Sequence, residues 1–171
     1  LGSLMGSIIA ANARPEVQKE IVPRICSGDI VVALGLTEPR GGSDAANLQL
    51  KARRDGNSSY VLSGEKTSIS MAEQSDHILV LARTDETKPG AAGVSAFLTR
   101  LDVKGISRSS IDDVGSKAVG RGSVFFDNVR LAAKDLVGPE GGGFKQVMQG
   151  FDYSRALIGL QCLAPAFASL E

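Results

Sequence analysis

The sequence predicts a mainly β fold: a β-barrel or sandwich over residues 30–139, with helical segments at 1–29 and 140–171 on either side. Three observations carry that expectation. From residue 30 onward, short strand candidates follow one another between turn signals, and no long helical pattern intervenes. Leu48, Leu50 and Ala52 alternate with Gln49, Lys51 and Arg53, the period-2 signature of a half-buried strand. Beyond residue 140 the period changes: Phe144, Val147, Met148 and Phe151 recur at i, i+3, i+4 and i+7, as in an amphipathic helix.

The elements follow in order. Leu1 to Ala11 is apolar with small residues and reads as the tail of a helix. Pro15 sits where a second helix can start, Pro23 is expected to interrupt it, and Ser27-Gly28-Asp29 closes it. Ile30 to Leu36 is the first strand candidate. Asp55-Gly56-Asn57 is a hairpin signal, with Tyr60-Val61-Leu62 as the returning strand. Ser63-Gly64-Glu65-Lys66 predicts another turn before a strand at Thr67–Ser70. His77–Arg83, Gly93–Thr99, Gly105–Ser109 and Ser123–Phe126 are the remaining strand candidates, and Gly138-Pro139-Glu140-Gly141-Gly142-Gly143 opens the last helix. That helix stays apolar on several faces through Leu157, Ile158, Leu160 and Leu163, a pattern expected deep inside a bundle. The first residue is Leu1 rather than methionine, and the chain stops inside this apolar pattern. It therefore reads as an internal piece of a longer protein.

Composition narrows the function classes. Nineteen Lys and Arg balance nineteen Asp and Glu, so charge does not favour nucleic acid or an anionic membrane as the main partner. The charge-free run from Ala156 to Leu170 is shorter than the roughly 20 apolar residues of a membrane span, and no signal peptide is visible. Cys26 and Cys162 match no metal or redox spacing and are expected to be buried free thiols in a reducing, cytoplasmic compartment. His77 is the single histidine, which excludes a multi-imidazole metal site; beside Ile78–Ala82 it is expected to mark a strand edge.

Candidate site residues begin with Thr37-Glu38-Pro39-Arg40-Gly41-Gly42-Ser43-Asp44, a turn dense in glycine and hydroxyl groups directly after a strand. Glycines let backbone approach a ligand, and successive amides in such a turn can make a concave anion site, although most Gly-Gly-Ser turns are only turns. Two further segments accompany it: Gly64-Glu65-Lys66 leading to Ser68-Ile69-Ser70, and Gly141-Gly142-Gly143-Phe144 leading to Phe151-Asp152-Tyr153-Ser154-Arg155. In this order, from about Pro15 to the end, the segments resemble the acyl-CoA dehydrogenases, flavoenzymes with a helical, then β-barrel, then helical layout.

The resemblance implies α,β-desaturation of an acyl-CoA thioester with FAD as cofactor. A carboxylate base takes the α-proton, and the β-hydrogen leaves as hydride to flavin N5. It implies that backbone between Leu34 and Ser43, with Leu36, Thr37 and Gly42, lines the flavin and its pyrophosphate. The Thr37 hydroxyl would donate to the ring's pyrimidine side, and Ser43 would contact FAD phosphate or the pantetheine arm of CoA. Ser68, Ile69 and Ser70 would run along the other side of the ring, with the Ser70 hydroxyl toward N5. Asp152, Tyr153, Ser154 and Arg155 would meet the CoA portion. Taken alone, Thr37 is equally a turn cap, Ser68 and Ser70 ordinary strand residues, and Asp152 with Arg155 a plain i,i+3 ion pair.

No catalytic residue is assigned within the chain. The family's base lies beyond Glu171, and the Asp112-Asp113 pair reads as solvated loop. A homotetramer that completes each FAD site from a neighbouring subunit, and an electron-transfer flavoprotein as acceptor, are the partners the resemblance implies. Two departures stand out. Ser68 replaces a tryptophan common in the family, which would widen the site, and Arg40 replaces a small residue. Lys-Thr-Ser-Ile-Ser with Phe-Asp-Tyr-Ser-Arg is similar to dehydrogenases of alicyclic thioesters such as cyclohexane carboxyl-CoA. The alternatives are an acyl-CoA oxidase passing electrons to oxygen, and a non-catalytic β-barrel binding or assembly module. The isolated piece is expected to be inactive and to hold FAD poorly.

Overall fold

A computed structural model describes residues 1–115 and 117–170. Two helices come first, α1 (Gly2–Asn12) and α2 (Pro15–Ser27). Pro15 starts α2 where a missing N–H costs nothing, and Gly28 ends it in the left-handed conformation at φ 81°. The interruption expected at Pro23 does not occur: α2 runs through it. Pro23 and Lys19 are both exposed, so the carbonyl that loses its intrahelical partner is solvated instead.

Eight strands follow: β1 (Val32–Gly35), β2 (Lys51–Asp55), β3 (Ser59–Ser70), β4 (His77–Arg83), β5 (Val94–Arg100), β6 (Ile106–Ile111), β7 (Arg121–Ala132) and β8 (Leu136–Val137). They form one sheet in the order β6-β7-β3-β2-β4-β5-β8, with β1 pairing in parallel with β4 off that path. The ladder has β6 and β8 at its ends, yet the sheet curls over a shared interior. Tyr60 of β3 and Phe97 of β5 meet edge to face with ring centroids 5.0 Å apart. Ala52, Leu62, Ile78, Val80, Val124 and Phe126 fill the same core. The mainly β, barrel-like architecture expected from the strand spacing is the one found.

β4 is buried on both faces. Ile78, Val80 and Ala82 point into this interior, while Leu79 and Leu81 join a second core with Met5, Ile8, Ile9, Ile21 and Val147 of the helices. That explains why residues 78–82 read as one continuous apolar run rather than an alternation.

The hairpin at residues 55–57 forms between β2 and β3, with Gly56 at φ 67°. The turn expected at Ser63–Lys66 does not form, because β3 is one continuous strand against β7. Two register shifts absorb the irregularity. Between Leu62 and Gly64 the extra residue is on β7, where Asn128 has φ 50°; between Lys66 and Ile69 it is on β3, where Ser68 has φ 55°.

The last helix, α3 (Gly143–Ala168), buries Val147 and packs Phe144, Met148 and Phe151 against the second core, as its period predicts. Its outer half is exposed, including Ile158, Leu160, Leu163 and Phe167. Both cysteines are free but exposed, contrary to the expected burial. Cys26 lies on a face of α2 turned from the core, and Cys162 on the uncovered half of α3. Among the described residues no helix is long and apolar enough to cross a membrane.

Candidate functional site

The turn after β1 is stitched to β3 at three successive residues. Lys66 Nζ donates to the Leu36 carbonyl at 3.0 Å, the Thr67 amide donates to the Thr37 carbonyl at 2.9 Å, and Lys66 Nζ reaches Glu38 Oε1 at 2.8 Å. Glu38 also accepts from the Gln49 amide at 2.6 Å and the Leu50 amide at 2.8 Å. The Lys66 side chain is 0% exposed and that of Glu38 8%. Burial pushes the Lys66 ammonium down to about 8, against the opposing pull of Glu38. Burial would raise the Glu38 carboxyl, but Lys66 and the two amides outweigh it and hold it below its ordinary value.

This buried pair is not evident from the sequence pattern as read with a turn at residues 63–66. Strict alternation from Tyr60 and Leu62 already places Lys66 on the inward face, and an inward lysine requires a carboxylate. Assigning a turn at residues 63–66 hid that phase.

Above the pair the turn is open. Arg40, Gly41, Gly42, Ser43 and Asp44 are exposed, and Gly41 donates back to the Glu38 carbonyl at 3.1 Å. The amides of Gly42, Ser43 and Asp44 have no acceptor among the described residues. That leaves a short run of free N–H donors, the chemistry an anionic group needs. Leu34 is half-buried and packs toward the helix-side core. Half-buried Leu36 lines a small hollow of about 210 Å³ with Glu38, Arg40, Asp44 and Asn47.

The bulge at Ser68 decides what the next residues present. The extra residue flips the phase, so Ile69 joins Lys66 on the inner face and is 2% exposed, while Ser70 turns outward. Ile69 therefore offers a ligand only its backbone. The Ser68 hydroxyl accepts from Arg121 Nη2 at 2.9 Å, and Arg121 also pairs with Asp113 at 3.0 Å.

Ser70 opens on a cleft of about 470 Å³. Its walls are Leu1, Ser3 and Leu4 at the start of the chain, Val119, and Phe151, Ser154, Arg155, Leu157, Ile158 and Gln161 of α3. The three segments singled out in the sequence thus meet: the turn at residues 37–43 is bonded to β3, and the end of β3 faces α3. Among the described residues no carboxylate lines the cleft. Asp152 and Arg155 form an exposed pair at 2.6 Å, Ser154 Oγ donates to the Phe151 carbonyl at 3.1 Å, and Tyr153 is exposed.

The other titratable candidates lie elsewhere. Of the Asp112-Asp113 pair expected to be solvated, Asp112 is exposed, whereas Asp113 is half-buried and paired with Arg121. His77 begins β4 and is buried; burial first, then the Arg100 charge, lowers its basicity. Among the described residues no cluster of His, Cys, Asp and Glu could hold a metal.

Comparison with known proteins identifies the family. The family profile "Acyl-CoA dehydrogenase, middle domain" matches residues 33–129. The chain belongs to the acyl-CoA dehydrogenase family. An acyl-CoA dehydrogenase of Alternaria alternata is 34% identical over 99% of the chain and 39% of its own length. The cyclohexane-1-carbonyl-CoA dehydrogenase of Geobacter metallireducens is 36% identical over 91% of the chain and 40% of its own. The structure of a glutaryl-coenzyme A dehydrogenase complexed with glutaryl-CoA superposes with a TM-score of 0.85 at 30% identity, covering 91% of the chain and 39% of that structure. The chain spans about two fifths of the length of these relatives.

Proposed function

We propose that this chain contributes part of the cofactor site and one side of the acyl cleft of an FAD-dependent acyl-CoA dehydrogenase. The observation that carries the reading is the meeting of β3 and α3 at Ser70, with the stitched turn at residues 37–43 on the same strand. The residues suit FAD: a glycine turn with three unpaired amides for a pyrophosphate, and the Thr37 and Ser70 hydroxyls for the polar edges of a ring. When bound, FAD supplies a hydride acceptor for the β-carbon of an acyl-CoA thioester.

The chain's own residues bind and orient. The free amides of Gly42, Ser43 and Asp44 neutralise phosphate charge, with the Ser43 hydroxyl beside them. The Thr37 and Ser70 hydroxyls would be the chain's side-chain donors to the polar edges of the ring. Ile69 packs behind this edge and supplies backbone only. Ser154 and Arg155 at the cleft, with Asp152 and Tyr153 exposed beside them, would hold the CoA arm. The base acting on the α-proton is assigned to no residue described in this chain. The reading extends to a homotetramer with an electron-transfer flavoprotein as acceptor. Two free cysteines suit a reducing, cytoplasmic setting.

The likeness to a cyclohexane-1-carbonyl-CoA dehydrogenase, with serine rather than a large ring at position 68, supports an alicyclic acyl group as the substrate class. The test is acyl-CoA-dependent reduction of an artificial electron acceptor by the full-length protein, comparing cyclohexane-1-carbonyl-CoA with butyryl-CoA. We expect turnover with both and a higher kcat/KM for the ring. Peroxide formed in proportion to substrate would instead identify an oxidase. No flavin and no turnover would support a non-catalytic module.

A further inference from the structure

We propose that the buried Glu38–Lys66 pair is a positioning device for the cofactor, setting the spacing between the turn at residues 37–43 and the hydroxyls at the end of β3. The inference rests on the FAD reading above and goes beyond it, because Lys66 is fully buried and Glu38 only borders the small hollow under the turn, its carboxylate oxygens engaged within the protein. Lys66 is fully buried, and its two hydrogen bonds go to Leu36 and Glu38 on the turn side. Glu38 spends its oxygens on Lys66 and on the amides of Gln49 and Leu50, which lead into β2. One ion pair thus ties three chain segments, which otherwise share here only the single backbone bond from the Thr67 amide to the Thr37 carbonyl. The turn beyond Glu38 is exposed and held by little else, its Gly41–Glu38 bond being internal to it.

Stability alone is a poor reason to bury such a pair. Desolvating two charges offsets most of their attraction, and a well-packed apolar pair of similar volume is often as stable or more so. What an apolar pair lacks is direction. The carboxylate accepts two adjacent amides and one ammonium in fixed geometry, and the ammonium fixes the Leu36 carbonyl, one residue before Thr37. The bulge at Ser68 then places Ser70 relative to the same lysine, two residues beyond the shift. Thr37 and Ser70, the two hydroxyls assigned to the ring, are both referenced to Lys66.

The experiment uses full-length protein stripped of cofactor, as wild type, Glu38→Gln, Lys66→Met and the double variant. FAD affinity is titrated by fluorescence, and thermal unfolding of each cofactor-free form is measured in parallel. Each single variant leaves one charge buried and unpaired and should unfold at lower temperature. The double variant leaves neither, and should regain most of the lost unfolding temperature. All three should still bind FAD at least about ten-fold more weakly than wild type. The double variant's bound-flavin absorption spectrum should also be shifted. Wild-type FAD affinity and spectrum in the double variant, or affinity that simply follows unfolding temperature across the set, would overturn the positioning role. A wild-type protein that binds no FAD would overturn the cofactor reading itself, and this inference with it.

Discussion

Glycine-to-alanine substitutions at two points of α3 should have opposite effects, and the structure fixes the sign of each. Gly143 begins the helix against β5: a Cβ there would lie 2.5 Å from the Ser95 carbonyl carbon, 2.9 Å from Ser95 Cα and closer still to the Ala96 amide nitrogen. These are backbone atoms of a buried strand paired with both β4 and β8, so no side chain can swing away. The helix start must move, and overpacking of this kind costs about 1–3 kcal/mol. Ala in place of Gly returns at most about 1 kcal/mol of helix propensity, and less at a helix end than in its interior. Gly143→Ala should therefore destabilise by roughly 1–2 kcal/mol.

Gly159 lies on the exposed half of the same helix, with nothing within 4 Å of its virtual Cβ and no positive φ. There the propensity gain stands unopposed, and Gly159→Ala should stabilise by up to about 1 kcal/mol. Urea unfolding of the protein followed by circular dichroism reads both. Because Gly143 sets where Phe151, Ser154 and Arg155 face Ser70, its variant should also raise KM for acyl-CoA, whereas Gly159→Ala should not. Equal stabilities for the two variants, or a stabilised Gly143→Ala, would refute the packing of α3 on β5 described here.

Two further outcomes follow from the electrostatics. Glu38 titrates in the fold below its ordinary value of 4.5, so its contribution to stability is fully present above that pH and is lost as pH falls through the folded value. Stability of the wild type should drop on acidification below about pH 4.5 by more than that of Glu38→Gln, measured as denaturation midpoints across pH. Asp152 and Arg155 form an ion pair whose side chains are both 68% exposed, so Arg155→Ala should leave the unfolding midpoint unchanged. If Arg155 holds the CoA arm, the same variant should raise KM in the dye-reduction assay with little change in kcat; an unchanged KM would reduce the pair to surface decoration.

Much of the fold was legible in the sequence, because apolar period and turn chemistry are local. The hairpin at Asp55-Gly56-Asn57, the continuous apolar β4 and the amphipathic first half of α3 each follow from neighbouring residues. What the sequence hid is non-local. The bulge at Ser68 depends on the pairing of β3 with β7, and without it Ile69 and Ser70 are assigned to the wrong faces. The Glu38–Lys66 pair joins residues 28 apart, and a turn assigned across Ser63–Lys66 removed the inward phase that would have demanded it. Pro23 was read as a break because proline usually ends a helix, but solvent reaches the carbonyl it frees. The cysteines were placed inside on residue type, and only the helix faces they occupy reveal their exposure. The order of the three candidate segments was plain, but the bonding of the turn to Lys66 and Thr67, and the facing of Ser70 and α3 across one cleft, required the tertiary fold.

The central claim is that residues 37–43, 68–70 and 151–155 build one site for a flavin and an acyl-CoA. A crystal structure of the full-length protein with FAD and a non-reactive thioether analogue of acyl-CoA tests it most directly. The ring should lie within hydrogen-bonding distance of the Thr37 and Ser70 hydroxyls, and the analogue's acyl chain in the cleft between α1 and α3. A ring bound away from both hydroxyls, or a chain lying outside that cleft, would contradict that claim.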